Sequence, residues 1–214
     1  MLCEAGAPEA ERLVALGLAE GSPNHQPGQG TACRRFFFAN AYLELMFLTD
    51  AAEAQAEPAR STRLYERWSR RGSGASPFGV VLRPGPDPSE GAAKPPFPSW
   101  SYRPTYLPAG FAIEVAAGTP LDEPEIFYIP FARRPDTAIE PEPLTHGIPL
   151  AEMTAVGIGV PGRGARSAAA RAAAASGMVT FAPADDHLMT LTFDLAARGA
   201  AADLRPHLPL VLRW

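Results

Sequence analysis

The alternation of apolar and polar residues is strongest between residues 34 and 50, in the run RRFFFANAYLELMFLTD. Phe, Tyr and Leu suit a pleated, half-buried surface, and the Ala39-Asn40 pair between the two apolar arms favours a turn. The pattern therefore predicts a β-hairpin. An acidic residue, Glu44, lies in the middle of its second arm and needs a partner if it is ionised there.

Two registers of this hairpin give Glu44 different surroundings. A two-residue turn pairs Arg35 with Glu44, so that a cation lies across from the anion. A shift of one residue instead places Phe36 opposite Glu44 and leaves the carboxylate free for a ligand or a metal. Both registers, and both a structural and a functional role for Glu44, remain open. In the first register, one face carries Arg35, Phe37, Tyr42, Glu44 and Met46.

The 24 prolines and 19 glycines mark many short elements joined by turns. Apolar periodicity predicts a helix that begins near Pro8 and ends before Gly17. Further helices are predicted at residues 61–71 and 165–176. Strands are predicted at residues 78–83, 111–116, 126–131, 154–160, 178–181, 187–193 and 208–214. Residues 20–30, rich in Gly, Pro, Asn and Gln, predict a loop, and residues 100–107 form an aromatic and proline-rich stretch. Residues 84–98 combine Pro, Gly, Asp and Ser and predict a surface loop.

The order of predicted elements repeats along the chain. Each half contains strand, helix, strand, strand and strand. In the second half, residues 178–181 and 187–193 are predicted to form a hairpin with a turn at residues 184–186. Overlaying the two hairpins matches Tyr42–Leu48 with Leu188–Asp194 and aligns Glu44 with Thr190. One such unit leaves a sheet face bare, so two units pack together or curl around a shared cavity. We therefore predict one α+β domain with a first module at 1–83, a proline-rich loop and inserted β segment at 84–150, and a second module at 151–214.

These motifs resemble a known family. The helix, the RRFFFANAYLEL hairpin, the FGVVLR strand, the IEVA and IFYIPF segments and the final HLMTLTFD run are similar in order to the glyoxalase-like domain proteins of the vicinal oxygen chelate superfamily. The resemblance covers nearly the whole chain. It implies paired βαβββ modules that form a cupped, mostly antiparallel sheet with flanking helices around a small-molecule pocket. A divalent metal in such a pocket acts as a Lewis acid on vicinal oxygens of the substrate.

Carried over residue by residue, the resemblance supplies one metal ligand. Glu44, in the LEL motif, matches the family's glutamate, whereas Thr190 takes the place of the second glutamate. The family's histidine falls at or before Met1, and the strand at 154–160 contains none. Metal sites recruit three or four protein donors, so we expect no bound cofactor. A divalent metal becomes an alternative if the natural chain extends upstream and restores the histidine.

Composition narrows the classes of partner. The formal net charge is −4, Lys94 is the only lysine among 19 basic residues, and no long basic run occurs. Apolar stretches are interrupted before the ~20 residues that a spanning helix needs. We therefore expect a soluble, cytoplasmic protein that binds neither nucleic acid nor membrane. The family resemblance implies a monomer or a homodimer. Cys3 and Cys33 fit a reducing compartment, with Cys33 as a small buried apolar residue.

The candidate catalytic residues are Glu44 and, more weakly, His187. Asp185 and Asp186 precede His187 at a predicted turn and would raise its pKa. No catalytic triad spacing, CxxC motif or phosphate-binding loop is present in the sequence. The candidate ligand-binding residues are Arg35, Phe37, Tyr42, Met46, Thr190 and Trp100.

These features favour a glyoxalase-like protein that binds a small molecule on the Glu44 face without a complete metal site. One alternative is a metal-dependent lyase, isomerase or dioxygenase of the same superfamily. The other is a non-catalytic protein that binds a partner through the loop at 84–98.

Overall fold

A computed structural model describes residues 1–85 and 94–214, so most of the loop predicted at 84–98 lies outside the described residues. Within these ranges the chain has an α+β fold. Its α-helices are α1 (Ala10–Leu16), α2 (Ala51–Ala54), α3 (Leu64–Arg70) and α4 (Ala168–Ala175). Short 3₁₀ turns lie at Ala59–Thr62, Pro135–Thr137 and Asp194–Ala196. None of the described helices is long and apolar enough to cross a membrane.

The described strands form three sheets. Their bounds are β1 Asn24–Gln26, β2 Thr31–Phe37, β3 Tyr42–Leu48, β4 Gly79–Leu82, β5 Ser99–Tyr102, β6 Ile113–Ala116, β7 Glu125–Tyr128, β8 Met153–Pro161, β9 Val179–Ala184, β10 Leu188–Phe193, β11 Ala201–Asp203 and β12 Leu210–Arg213. The first sheet has the order β1-β2-β3, the second β4-β7-β6-β5 and the third β11-β12-β10-β8-β9. Antiparallel pairs are the majority, and the parallel pairs are β4 with β7, β8 with β9 and β10 with β12.

The hairpin of β2 and β3 adopts the first of the two predicted registers. Arg35 lies opposite Glu44, and Phe37 lies opposite Tyr42. The Phe38 N–H donates to the Ala41 carbonyl at 2.8 Å, which closes the two-residue turn. Because side chains alternate along a strand, this register places Glu44 on the same face as Arg35.

The first three residues join the first sheet to the second. Leu2 forms a parallel bridge with Met46 of β3, and the Cys3 N–H donates to the Met46 carbonyl at 2.7 Å. On its other side, the Leu2 N–H donates to the Pro77 carbonyl, also at 2.7 Å, just before β4. Backbone hydrogen bonds thus run from β1 through β2 and β3 to residues 1–3, and from there through β4, β7 and β6 to β5. We call this arrangement the joined sheet.

The two ends of the joined sheet touch each other. The Tyr106 hydroxyl, which follows β5, donates to Gln29 Oε1 at 3.0 Å, close to β1. The Thr105 hydroxyl donates to the Pro27 carbonyl at 3.4 Å. These bonds link residues that lie 77 and 78 positions apart in the chain. The segment after β5 therefore contacts the turn that follows β1.

The third sheet does not contain the hairpin predicted for the second half. The strands β9 and β10 lie on opposite sides of β8, which pairs with both of them. The predicted pairing of these two segments is therefore wrong, because α4 returns the chain to the parallel edge of β8 instead. Thr190 of β10 lies between Gly157 and Val211 in this sheet.

One apolar core holds the sheets and helices together. It contains α1 and α4 and one face of each sheet, for example Phe36 and Leu45 from the first, Ile126 from the second and Leu191 from the third. One face of the joined sheet packs on this core, and the opposite face carries a separate set of side chains. The C-terminal cap of α1 is the predicted Gly17, in the left-handed region at φ 109°.

Arg67 of α3 fixes the segment between β3 and β4 onto the second sheet. It is fully buried, and its Nε donates to Glu125 Oε2 at 3.1 Å. Its Nη1 donates to the carbonyls of Glu123 at 2.6 Å and Leu121 at 3.1 Å. Burial raises the pKa of Glu125 and lowers that of Arg67. Since each group is the other's counter-ion, loss of one leaves a buried charge unpaired.

Candidate functional site

The candidate site is the face of the joined sheet that is turned away from the apolar core, which we call the inner face. On β2 and β3 it consists of Thr31, Cys33, Arg35, Phe37, Tyr42, Glu44, Met46 and Leu48. On β5 it carries Trp100 and Tyr102, whose ring centroids are 6.1 Å apart. Strand alternation thus brings most of the predicted site residues onto one surface.

The Glu44 carboxylate is half-buried on this face. Its Oε1 accepts a hydrogen bond from the Cys33 thiol, with a sulfur to oxygen distance of 3.4 Å. Among the residues that the structure describes, no donor reaches Oε2. One carboxylate oxygen is therefore fixed by the protein, and the other is left as an acceptor.

The ion pair between Arg35 and Glu44, which the register alone would favour, does not form. The Arg35 Nε donates to the Ser22 carbonyl at 2.8 Å, and its Nη2 lies 3.7 Å from Glu142. The guanidinium also stacks over the Phe37 ring at 4.9 Å. A long arginine side chain can lean along the strand, so two residues that are opposite in register can still direct their charges apart.

Arg34 lies on the other face of β2, as strand alternation requires. It forms ion pairs with Glu11 at 2.8 Å and Glu20 at 2.5 Å. Its hydrogen bond to Glu20 is the main reason why its pKa is raised. Only one of the two adjacent arginines therefore reaches the inner face.

A chain of polar side chains leads from the end of the joined sheet toward Glu44. Beyond the Tyr106 hydroxyl, Gln29 Nε2 donates to the Thr31 hydroxyl at 2.7 Å, and that hydroxyl donates to Gln26 Oε1 at 3.2 Å. Gln26, Gln29 and Thr31 are each at most 5 % exposed. Because buried polar groups are costly unless they are hydrogen-bonded, these three residues form a fixed unit.

The chain ends at the carboxylate. Gln26 Nε2 lies 3.7 Å from the Cys33 sulfur, and the Cys33 thiol in turn donates to Glu44. Every group passes its hydrogen toward Glu44, which can only accept when it is ionised. Cys33 is buried, as predicted, but it acts as a hydrogen-bond donor and not simply as an apolar residue.

A tight turn brings the two glutamines together. The Gln29 N–H donates to the Gln26 carbonyl at 3.1 Å, and Gly30 follows with φ at 68°. A Cβ atom at Gly30 would lie 2.1 Å from the Asp50 carbonyl oxygen. Only glycine fits this close approach, so the turn between β1 and β2 is packed against the end of β3.

The weak acids near Glu44 remain protonated at neutral pH. Burial, followed by the charge of Glu44, raises the pKa of Cys33 to about 12. Burial also raises the pKa of Tyr106, with smaller contributions from Tyr102 and Glu44. A buried thiol with a raised pKa is a poor nucleophile, so Cys33 supports Glu44 but is not itself reactive.

Tyr102 lies beside this chain. The residue is 2 % exposed, and its hydroxyl is close to that of Tyr106, so that each tyrosine affects the pKa of the other. Burial raises the pKa of Tyr102 to about 12. Tyr102 therefore extends the buried polar unit.

The structure does not bring His187 or Thr190 to Glu44. His187 Nε2 lies 3.3 Å from the Gly74 carbonyl, and its ring packs edge-on against Phe78. Burial lowers the pKa of His187, so the increase predicted from its acidic neighbours is wrong. Thr190 belongs to the third sheet.

His146, to which the sequence analysis assigned no role, has a structural one. Its Nδ1 accepts from the Ala19 N–H at 3.0 Å, and its Nε2 lies 3.0 Å from the Phe37 carbonyl, to which it donates as the neutral tautomer. Burial lowers the pKa of His146. The ring thus ties the chain after α1 to the end of β2.

The donors around Glu44 do not fit a divalent metal. In the described parts of the chain, no group of three or more His, Cys, Asp and Glu side chains is placed to hold an ion. Among the His, Cys, Asp and Glu side chains described, Cys33 is the one that hydrogen-bonds to the Glu44 carboxylate, and its thiol is protonated. A lone carboxylate beside a neutral thiol and amides is a poor set of ligands for Mg²⁺, Zn²⁺ or Fe²⁺.

Two surface cavities lie away from the inner face. One, of about 480 Å³, is lined mainly by residues 144–151 together with Asp194, Arg198 and Trp214. The other, of about 500 Å³, is lined by residues near α2 and α3, among them Arg60 and Tyr65. Neither is lined by Glu44, so ligand binding at either cavity would be distinguishable from binding at the inner face.

Comparison with models of known protein families gives no match, and neither do the comparisons with curated proteins and with solved structures.

Proposed function

We propose that the joined sheet is a cup of the glyoxalase-like type and that it binds a small molecule over Glu44. The strand order supports this proposal. If residues 1–3 are counted as the first strand of the first sheet, then β1, β2 and β3 are its second, third and fourth strands along the chain. In space these four lie in the order first, fourth, third, second. The second sheet, with the spatial order β4-β7-β6-β5, has the same arrangement. We therefore place the repeated units at residues 1–48 and 79–128, instead of at 1–83 and 151–214.

The observation that carries the proposal is the free oxygen of Glu44. A chain of largely buried hydrogen bonds holds the carboxylate on the inner face, while no donor from residues 1–85 or 94–214 reaches Oε2. Phe37 and Trp100 add apolar surface on the same face, and Tyr42, which is 38 % exposed, lies at its open side. Apolar walls around a few fixed polar groups are the usual composition of a small-molecule site.

Chemically, the inner face offers Glu44 as a hydrogen-bond acceptor or a base for a ligand that carries an O–H or N–H group. The donor set gives no support to a Lewis-acid mechanism, so the proposal is for binding and leaves no role for a resident metal.

A thermal-shift panel tests the proposal. Small molecules and divalent metal salts are added to the wild type, to Glu44→Gln and to a control, Glu140→Gln, which changes an exposed glutamate. A ligand at 100 times its Kd stabilises the fold by about 2.7 kcal/mol. We expect at least one organic compound to stabilise the wild type and the control but not Glu44→Gln. Equal stabilisation of all three proteins would overturn the proposal.

A further inference from the structure

The turn that follows β10 holds a large apolar side chain in solvent. Three residues in succession, Asp194, Leu195 and Ala196, have left-handed backbones, with φ at 50°, 58° and 55°. Residues other than glycine avoid this region, and consecutive examples are rare. The Leu195 side chain at the centre of the turn is 83 % exposed. A strained backbone that exposes a leucine is a combination expected at a contact surface.

Hydrogen bonds hold this turn in one conformation. The Asp194 carboxylate accepts from the N–H groups of Ala151 and Glu152, both at 3.0 Å. The Leu195 N–H donates to the Thr154 hydroxyl, also at 3.0 Å. Leu195 is therefore presented from a fixed backbone. A partner that covers it would lose little affinity to the ordering of a loop.

An apolar cavity lies directly beside the turn. Asp194 and Ala197, on either side of the exposed leucine, line the cavity of about 480 Å³ described above. Its apolar lining consists of Leu144, Ile148, Pro149, Leu150 and Trp214. Removal of a leucine side chain from a protein core leaves a space of roughly 150 Å³, so this cavity has room for one leucine side chain. One patch of surface thus carries both a projecting leucine and an apolar recess.

A projection beside a recess is complementary to a copy of itself. In a dimer with a two-fold axis, each chain uses the same patch, so the projection of one copy meets the recess of the other and the reverse contact forms as well. Charge fits the same symmetry. Asp194 and Arg198 both line the cavity, and within the described ranges neither belongs to an ion pair, so each can face its opposite across the axis.

We propose that this chain forms a homodimer in which Leu195 of each copy enters the cavity beside Trp214 of the other. The contact lies away from the inner face, so its test is independent of the proposed function.

Sedimentation velocity of the purified chain tests the dimer. We expect the wild type to change from monomer to dimer between about 1 µM and 1 mM, as a small interface would. Leu195→Asn removes the apolar side chain and keeps the turn, because asparagine adopts the left-handed conformation more readily than leucine. Since each dimer then loses two buried leucines, the Kd should rise at least about a hundredfold. The control Ile139→Asn changes another aliphatic residue, which is 98 % exposed, and should leave the Kd unchanged.

A second variant and a mixture test the reciprocal contact. Ala197→Glu places a charged side chain in the cavity and leaves Leu195 intact, and it should also weaken self-association. Mixed with Leu195→Asn, it can form a heterodimer in which one intact leucine enters one intact cavity. We therefore expect the mixture to associate more tightly than either variant alone, with circular dichroism to show that both are folded.

Three results would overturn the proposal. The first is a wild type that stays monomeric up to about 1 mM, and the second is a dimer that Leu195→Asn does not weaken. The third is a mixture of the two variants that associates no better than its components, because reciprocal insertion requires the heterodimer to regain one contact.

Discussion

The hydrogen bond from Tyr106 to Gln29 links the segment after β5 to the turn after β1, and Tyr106→Phe tests how much it stabilises the fold. The substitution removes the donor and leaves Gln29 Oε1 without a partner at a residue that is 4 % exposed. A lost hydrogen bond contributes about 1 kcal/mol, and an unsatisfied buried acceptor costs about 1–3 kcal/mol. We therefore expect the free energy of unfolding to fall by about 1–2 kcal/mol.

Urea denaturation of a double-mutant cycle measures the coupling directly. Gln29→Met removes the acceptor along with the bond to Thr31, and the double variant lacks both partners. We expect Tyr106→Phe to cost about 1 kcal/mol less in the Gln29→Met background than in the wild type. Tyr65→Phe is a control at a different tyrosine and should change stability by less than about 0.5 kcal/mol. If the effects of the two substitutions are additive, the hydrogen bond between Tyr106 and Gln29 does not contribute to stability.

Three further predictions concern the groups that support the fold and the site. Arg67→Met should lower the free energy of unfolding by about 3–5 kcal/mol, because it leaves Glu125 buried and unpaired, and added Glu125→Gln should recover part of the loss in urea denaturation; no recovery would contradict the ion pair. Cys33→Ala should cost about 1–2 kcal/mol and Cys33→Ser less, since only serine keeps a donor to Glu44, and equal losses would argue against that bond. The pKa of His146 is lower in the folded state than its unfolded value of about 6.5. The stability that the neutral ring contributes is therefore complete above about pH 6.5, and it is lost as the pH falls from there toward the folded-state pKa. Between about pH 7.5 and pH 5, the free energy of unfolding should fall less in His146→Gln than in the wild type. The same pH dependence in both proteins would exclude this role of His146.

Local signals in the sequence were enough to predict the hairpin, but they left two registers open. In the structure the two-residue turn at Ala39-Asn40 sets the register, and the register determines which side chains accompany Glu44. Likewise, Gly17 ends α1 as predicted, because glycine adopts the left-handed conformation without strain. These features depend on residues close in sequence, where turn chemistry and alternation are reliable guides.

The rest of the site is built by contacts between distant residues. Gln26 and Gln29 lie in a segment predicted as loop, and no periodicity links them to Glu44. The sequence at Ser99–Tyr102 shows only the start of an aromatic, proline-rich stretch and predicts no strand, although β5 forms there and supplies Tyr102 to the inner face. The direction of the Arg35 side chain was likewise set by Ser22 and Glu142, which no pairing rule could have identified.

The proposed repeat at residues 1–48 and 79–128 could not be predicted from element order alone. The second half does contain strand, helix and strands in the predicted order, but α4 leads β9 to the parallel edge of β8. Two segments with the same order of elements can therefore pair differently. Hydrogen bonding of residues 1–3 between β3 and the residue before β4 is what relates the first sheet to the second.

The three tryptophans allow the most direct test of a ligand site on the inner face, because each lies in a different place. Trp100 lies on the inner face, Trp214 lines the cavity beside residues 144–151, and Trp68 donates its indole N–H to the Cys3 carbonyl. In ¹⁵N-resolved NMR spectra recorded during titration with a stabilising compound from the thermal-shift panel, we predict that the Trp100 indole signal shifts while those of Trp214 and Trp68 stay in place. A titration that moves the Trp214 signal and leaves Trp100 unchanged would contradict the account.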